Sequence, residues 1–224
     1  MSRPTLKSPR PARRTALFVL LVAVLIALYL HPPQPVFTPE SMAEIARTAI
    51  VHSASVNGTA QTTIDSVVQQ LRSKYPAHVL KDPQWVFNNA GGAMGSMLVL
   101  HISLVEYVII FGTAVGTTGH TGRFMADDWF TMLVGEQWAA SPGSLEREVF
   151  KAGDQHLLPR GSCKHYLMKP DSWALEYARG NILSMLPFGF ADSLTSTFDF
   201  VTVWKTVVIA AKGVITQLLT QMGA

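Results

Sequence analysis

The chain has 224 residues, of which 48% are hydrophobic and only 15% are charged, whereas soluble domains carry roughly 25% charged residues. This composition excludes a disordered chain and indicates contact with a membrane. Five cations without an acid lie within residues 1–14, although the whole chain has a net charge of only +3. The rest is therefore slightly acidic, which excludes nucleic acid as a partner. The single cysteine, Cys163, excludes an intrachain disulfide framework.

Residues 1–14 are predicted to be a basic cytosolic tail, and residues 15–31 a transmembrane anchor. The run 16–30 carries no charge, and a helix of that length spans about 23 Å. A cleaved signal peptide is the alternative, but the run ends in Leu-Tyr-Leu-His-Pro, without the small residues of a cleavage site. Because positive charge stays in the cytosol, we expect the body on the opposite side of the membrane. The sequon Asn57-Gly58-Thr59 is compatible with a lumenal body.

Residues 32–38 form a proline-rich spacer, and residues 39–84 are predicted to be helical. Thr38 can cap a helix that has Pro39 at its first position. A second helix, ended by Pro76, is indicated by apolar residues at helical spacing; these are Ile64, Val67, Val68, Leu71 and Tyr75.

Residues 85–180 have the pattern of consecutive strands joined by turns. Glycines recur between short apolar or alternating runs such as 97–103 and 107–113. No long helical pattern is available for the crossovers that a parallel sheet needs. This region therefore predicts a β-barrel or sandwich, and the whole chain an α+β protein.

Residues 181–224 return to a helical pattern. From residue 200 onward the only charges are Lys205 and Lys212, and apolar residues such as Trp204, Ile215 and Leu219 follow helical spacing. The apolar stripe has two interpretations: it packs on the barrel or another subunit, or it lies on a membrane surface. The pattern does not choose between them, because amphipathicity does not identify what covers the apolar face.

Five motifs give the chain a specific resemblance from about residue 36 to its end. They are Trp-Val-Phe-Asn-Asn-Ala-Gly-Gly-Ala-Met-Gly at 85–95, Glu-Tyr-Val-Ile-Ile-Phe-Gly-Thr-Ala-Val-Gly at 106–116, Gly-His-Thr-Gly at 119–122, Trp-Ala-Leu-Glu-Tyr-Ala-Arg-Gly at 173–180 and Leu-Pro-Phe-Gly-Phe-Ala-Asp at 186–192. In this order and spacing, the chain resembles the family of fungal sterol delta-8 to delta-7 isomerases and the sigma-type receptor. The isomerase branch is favoured by Asn88-Asn89, Ala93, Asp127-Asp128 and residues 187–190.

This resemblance implies a cupin-like β-barrel around a hydrophobic pocket, an N-terminal transmembrane helix, C-terminal helices against the membrane, and a homotrimer. It further implies a delta-8 to delta-7 isomerase of ergosterol-type sterol biosynthesis, single-pass in the endoplasmic reticulum membrane. Such an enzyme takes its sterol from the bilayer and uses no redox cofactor or metal. Lipophilic cationic amines are the expected inhibitors, since an ammonium gains charge-assisted hydrogen bonds from paired carboxylates.

Two alternatives share these features in part. One is a non-catalytic receptor that binds lipophilic amines or sterols in the same pocket. The other is a structural membrane-surface protein with a filled barrel, which requires that Glu176 faces solvent.

The isomerase chemistry needs two proton-transfer groups. A proton is delivered to one olefinic carbon and another is removed nearby, through a tertiary carbocation. The catalyst therefore needs an acid that stays protonated near neutral pH, an acceptor, and negative potential over the cation. Two carboxyl groups in an apolar barrel can supply all three, because desolvation and mutual repulsion raise one pKa.

Glu176 is the first candidate for this chemistry. Strand alternation puts Ala174, Glu176 and Ala178 on one face, and the two alanines leave open volume beside the carboxyl group. The pattern alone favours an exposed glutamate. The resemblance reverses this, because Glu176 matches the acid that pairs with ligand amines in the receptor.

The second acid is predicted to be Asp128, ahead of Asp127. The receptor's second pocket acid aligns with Phe130, which is a departure from the receptor pattern. If residues 126–130 form a strand, Asp128 and Phe130 share a face and Asp127 points the other way. The alternative is that the aspartate doublet caps a turn.

Tyr107 matches the receptor tyrosine that hydrogen-bonds the pocket glutamate, and its alternative role is a core aromatic. Glu106, on the other strand face, is expected to bind backbone N–H groups. His120 is a candidate proton relay or a turn histidine, and the seven histidines show no paired metal spacing. The predicted sterol-pocket residues are Phe111, Met125, Phe130, Met168, Leu186 and Phe188.

Overall fold

The computed structural model describes residues 33–223 and, before them, residues 15, 16, 18, 19 and 22. Those five isolated residues are helical. The predicted basic tail and the rest of the predicted anchor lie outside the described residues. The chain divides into two units, Met1–Gln34 and Pro35–Ala224, and the second unit contains the features described below.

Two helices open the second unit, α1 (Pro39–Ser55) and α2 (Ala60–Lys74). α1 begins at Pro39 because the Thr38 hydroxyl accepts a hydrogen bond from the Ser41 N–H at 3.2 Å. Both helices bury an apolar stripe, as their spacing predicts; the stripe residues are Met42, Ile45 and Ala49 in α1 and Ile64, Val67 and Leu71 in α2.

Ten strands follow the helices, and they form two antiparallel sheets. The six-stranded sheet has the order β1 (Trp85–Ala90), β2 (Ala93–Ile102), β3 (Glu106–Thr113), β10 (Ser172–Gly180), β5 (Ala126–Val134) and β8 (Gln155–Leu158). The four-stranded sheet has the order β4 (Thr117–His120), β9 (His165–Met168), β6 (Glu136–Ala140) and β7 (Glu148–Lys151). All strand pairs within the described residues are antiparallel, so the prediction against a parallel α/β fold is confirmed.

The six-stranded sheet has a back face that packs on α1 and α2 and a front face that points toward a cavity. Strand alternation separates the two sets of side chains. On β10, Leu175 and Tyr177 join the cluster on the helices, whereas Ala174 and Ala178 join the cluster around the cavity. Each face therefore has its own buried core.

Glu106 is fully buried on the back face, where it fixes the segment before α1. Its carboxylate accepts hydrogen bonds from the N–H groups of Val36 at 2.6 Å and Phe37 at 3.3 Å. The Tyr177 hydroxyl donates a third bond at 3.0 Å. The prediction that Glu106 binds backbone N–H groups is confirmed.

The C-terminal region contains a 3₁₀ helix (Ile182–Met185) and the helices α3 (Leu186–Thr195) and α4 (Phe200–Met222). The inner face of α4 is small or polar: Gly213 packs against Ile102, and Gln217 donates to the His78 carbonyl oxygen at 3.2 Å. The opposite face leaves large apolar side chains exposed, including Trp204 and Leu219. The apolar stripe therefore does not pack on the β-sheets, and α4 is long and apolar enough to span a membrane.

Candidate active site

A largely apolar cavity lies between the front face of the six-stranded sheet and the four-stranded sheet. β2, β3, β5, β8 and β10 supply one wall, and β4, β6 and β9 contribute to the other. The 3₁₀ helix, α3 and α4 add the side chains of Ile182, Leu186, Phe188 and Ala210. Helices with exposed apolar surface therefore form part of the cavity wall.

The cavity contains two carboxyl groups, those of Asp128 on β5 and Glu176 on β10. In the β5–β10 register Asp128 is opposite Ala178, and Glu176 is opposite Phe130. The two acids are therefore diagonal neighbours on one face. The small Ala178 between them leaves space for a ligand, as the alternation predicts.

Tyr107 lies on the other side of the pair. It is opposite Ala178 in the β3–β10 register, and its hydroxyl donates a hydrogen bond to Glu176 Oε1. Burial raises the pKa of Tyr107 well above its usual range, and the two carboxyl groups add to that shift. The phenol therefore keeps its proton and acts as a donor to Glu176.

The environment separates the protonation states of the two acids. Burial, then the charge and hydrogen bond of Glu176, raise the pKa of Asp128 well above its ordinary value. Burial also raises the pKa of Glu176, but hydrogen bonds from Tyr107 and Asp128 limit it to about 7. Near neutral pH, Asp128 therefore holds a proton while Glu176 can release or accept one.

Asp127 is not brought together with this pair. Its side chain lies on the other face of β5 and accepts hydrogen bonds from the N–H and Nη2 of Arg160, each at 2.9 Å. These bonds lower the pKa of Asp127. The strand prediction that separates Asp127 from Asp128 is confirmed, and Asp127 has no access to the cavity.

Four of the predicted pocket residues line the cavity and two do not. The four lining residues are Phe111, Phe130, Leu186 and Phe188. Met125 precedes β5 and is 60% exposed at the outer surface, so the prediction that it lines the pocket is wrong. Met168 is fully covered within the core around the cavity and contributes no lining surface.

His120 has the hydrogen bonding of a turn histidine and also faces the cavity. It lines the cavity, and its Nδ1 accepts a hydrogen bond from the Gly122 N–H at 2.8 Å, as a turn histidine does.

Several further polar residues line the cavity without having been predicted as site residues, and four of them lie on or next to the short strands. These four are Gln137 on β6, His156 on β8, Tyr166 on β9 and Lys164 just before β9. Lys164 forms an ion pair with Glu148, with its Nζ 2.7 Å from Oε1. These strands have only four or five residues, which is too short for alternation to identify an inward face. The repeated glycine turns around them were the only signal of their position.

The helices, the two sheets and the cavity define an α+β protein with a paired-carboxyl centre in an apolar enclosure. Since Glu176 faces this cavity, the interpretation as a structural protein with a filled barrel is wrong. The chain belongs to the family described as "ERG2 and Sigma1 receptor like protein", which matches residues 14–222.

Curated relatives include fungal enzymes and vertebrate receptors. The chain is 45% identical to the C-8 sterol isomerase of Aspergillus fumigatus over 213 residues, covering 92% of this chain and 88% of that protein. It is 52% identical to the C-8 sterol isomerase of Gibberella zeae over 159 residues, covering 71% and 68%. Its identity to the sigma non-opioid intracellular receptor 1 of Gallus gallus is 39% over 183 residues, covering 80% and 79%. Among solved structures, an RmlC-like cupin from Shewanella frigidimarina is 16% identical, covers 45% of this chain and 86% of its own, and has a TM-score of 0.36.

Proposed function

We propose that the chain is a sterol isomerase that moves a ring double bond from C8–C9 to C7–C8. The observation that carries the proposal is the Asp128–Glu176 pair within an apolar cavity. Asp128 is protonated at neutral pH, whereas Glu176 has a pKa of about 7 and can lose or gain a proton there. The similarity to fungal proteins named C-8 sterol isomerase supports the same activity.

The reaction uses the two acids in opposite directions. Asp128 donates its proton to C9, and the electron pair of the C8–C9 double bond forms the new C9–H bond, which leaves a cation at C8. Glu176 removes a proton from C7, and the electrons of that C–H bond form the C7–C8 double bond. The proton on Glu176 then returns to Asp128 through their hydrogen bond, so substrate and enzyme both balance.

The surroundings of the pair favour the cationic intermediate. Once Asp128 has given up its proton, two carboxylates face the cation in a low-dielectric site, where their attraction is stronger than in water. The apolar wall excludes water, which would otherwise trap the cation as an alcohol. Positioned proton transfer alone typically contributes about 10²- to 10⁴-fold in rate.

Tyr107 is proposed as the residue that positions Glu176. Its hydroxyl donates to Oε1 and so fixes the orientation of the carboxylate that receives the proton from C7. The same bond stabilises the ionised form of Glu176 and so keeps its pKa near the working pH.

The membrane supplies the substrate in this proposal. α4 exposes Trp204, Ile215 and Leu219 outward while Thr206 and Ala210 on its inner side line the cavity. A sterol could thus pass from the bilayer between the C-terminal helices into the cavity. We place the enzyme in the endoplasmic reticulum membrane as a single-pass, cupin-like trimer with a cytosolic N-terminus and a lumenal body.

A receptor without catalysis is the second candidate function. It is favoured by the relatives named sigma non-opioid intracellular receptor 1 and by the ability of the carboxyl pair to bind an ammonium group. Lipophilic amines are ligands in this alternative and inhibitors in the isomerase proposal.

Sterol analysis of cells that lack their own isomerase tests the two functions. Wild-type chain should convert accumulated delta-8 sterol to delta-7 sterol, and Glu176→Gln at equal abundance should not. If correctly inserted wild-type protein gives no conversion, the receptor is the better assignment.

A further inference from the structure

Two buried polar atoms at one side of the cavity have no hydrogen-bond partner among the described residues. They are Oε1 of Gln137 and Nδ1 of His156, and both residues line the cavity. Gln137 is only 3% exposed. Because buried polar groups are nearly always hydrogen-bonded, these atoms point to a polar group of the ligand.

The two residues lie at the same edge of the cavity. Gln137 on β6 is opposite Phe150 on β7, and the Phe150 ring stacks on His156 with ring centroids 3.8 Å apart. This stacking holds the imidazole plane in a fixed orientation. Gln137 and His156 therefore flank one aromatic ring and form a single polar subsite.

Register gives the distance from this subsite to the carboxyl pair. Glu176, Phe130 and His156 are cross-strand neighbours on β10, β5 and β8. At about 4.8 Å per strand, His156 lies roughly 10 Å from Glu176 along the sheet. α3 and α4 pack on β1 and β2, at the opposite edge of the same sheet. An elongated ligand with its head at the subsite would thus cross the carboxyl pair before it reaches the helices.

The chemistry of the two atoms selects a hydroxyl group. Gln137 Oε1 can only accept a hydrogen bond, and a carboxylate has no proton to donate to it. Burial lowers the pKa of His156 to about 4, so the ring is neutral and attracts no anion. A hydroxyl can donate a hydrogen bond to Gln137 Oε1. It can also accept one from the neutral His156 ring when the ring proton is on Nδ1. The charged Lys164 is occupied by Glu148.

We propose that Gln137 and His156 bind the 3-hydroxyl group of the sterol and so hold C7, C8 and C9 beside Asp128 and Glu176. This inference rests on the proposed function, because it names the end of the substrate that the cavity recognises. The hydroxyl lies on the first ring and the reacting carbons on the second, so one bound hydroxyl fixes the ring system lengthwise and leaves the side chain directed toward the C-terminal helices.

The first test changes the substrate rather than the protein. Full-length wild type in detergent micelles is given a delta-8 sterol with its 3-hydroxyl and the 3-deoxy analogue, and kcat/KM is measured for each. Equilibrium binding of both sterols is measured in parallel by competition against a radiolabelled sterol. We expect the hydroxysterol to be favoured roughly 10- to 100-fold in both measurements, because the deoxy analogue leaves two buried polar atoms unpaired.

The second test removes the subsite with near-isosteric variants. Gln137→Leu and His156→Phe should each lower the hydroxy-to-deoxy ratio, mainly by weakening turnover and binding of the hydroxysterol. Gln155→Leu is the matched control, because Gln155 neighbours His156 on β8 but donates to the Pro39 carbonyl oxygen and the Thr131 hydroxyl. That control should keep the wild-type ratio.

The outcomes separate this inference from the proposed function. Equal use and equal binding of the two sterols by wild type, or an unchanged preference in both subsite variants, would overturn the subsite. Wild type that converts neither sterol contradicts the isomerase. In that case the ratio of the two binding constants still decides whether Gln137 and His156 recognise the hydroxyl.

Discussion

Replacing Glu176 with glutamine should abolish turnover and at the same time stabilise the fold at alkaline pH. The carboxyl group lies in the cavity beside Asp128, where burial disfavours its ionised form. Glutamine has the same shape, carries no charge and can still accept the hydrogen bond from Tyr107. The substitution therefore removes the proton acceptor together with a buried charge.

The size of the stabilisation follows from the pKa of Glu176, which folding raises from its ordinary 4.5 to about 7. This difference corresponds to about 3 kcal/mol between the two protonation states. Between these two pKa values the folded protein binds more protons than the unfolded chain, so the stability of wild type falls as the pH rises through this window. The Glu176→Gln variant does not lose this stability. Its free energy of unfolding should therefore exceed that of wild type by up to about 3 kcal/mol at pH 8 and by nothing at pH 4.

Thermal unfolding of both proteins in the same detergent at pH 4, 6 and 8, followed by circular dichroism, measures the difference. Glu136→Gln is the control, because hydrogen bonding by Lys169 lowers the pKa of Glu136 and its removal should bring no alkaline gain. The buried-charge argument would be refuted if Glu176→Gln were less stable than wild type at pH 8. It would also be refuted if the Tm difference between the two proteins were the same at all three pH values.

Four further outcomes follow from the same geometry. The kcat/KM of wild type should fall on the acid side as Glu176 is protonated with a pKa of about 7, and on the alkaline side as Asp128 loses its proton; a flat profile contradicts the acid–base assignment. Asp128→Asn should lower kcat by about 10²- to 10⁴-fold, whereas Asp127→Asn should retain turnover in the same assay. Glu106→Gln should lower the free energy of unfolding by about 1–3 kcal/mol, seen as a lower Tm, because its amide nitrogen cannot accept the backbone N–H bonds. A lipophilic tertiary amine should compete with sterol in wild type and lose potency against Glu176→Gln, measured as the inhibition constant or, where turnover is lost, as direct binding.

Strand alternation is the part of the site that the sequence predicts well. Once residues 126–130 are taken as a strand, the period of two assigns Asp128 to the face of Phe130 and Asp127 to the opposite face. The structure has this arrangement, with Arg160 bound to Asp127. The inference needed only a local pattern, which explains its success.

The packing of α4 could not be predicted from its apolar stripe. The face that approaches the sheets carries Thr206, Ala210, Gly213 and Gln217, because close approach requires small residues and a hydrogen bond to His78. Its most apolar side chains are on the outer face. A hydrophobic pattern identifies the apolar stripe of α4. Which face of the helix is covered is determined by the elements that pack beside it.

Gln137 and His156 were missed for a different reason. They belong to strands of five and four residues whose inward faces are fixed by pairing with distant segments, such as Phe130 opposite His156. Tertiary pairing of this kind leaves no local periodicity. The polar end of the cavity therefore emerges only from the assembled sheets.

The chain also uses one dipeptide twice for opposite purposes. Glu106-Tyr107 on β3 and Glu176-Tyr177 on β10 lie on adjacent antiparallel strands, and each tyrosine donates to the glutamate of the other strand. On the back face, backbone N–H groups surround Glu106 and turn it into a structural anchor. On the front face, Glu176 meets Asp128 and open space instead, so its proton remains exchangeable. The two glutamates are therefore the same residue type with the same tyrosine partner, and they differ in role because of the other groups around each carboxylate. To give Glu106 the role of Glu176, one would have to change those surrounding groups and not the glutamate.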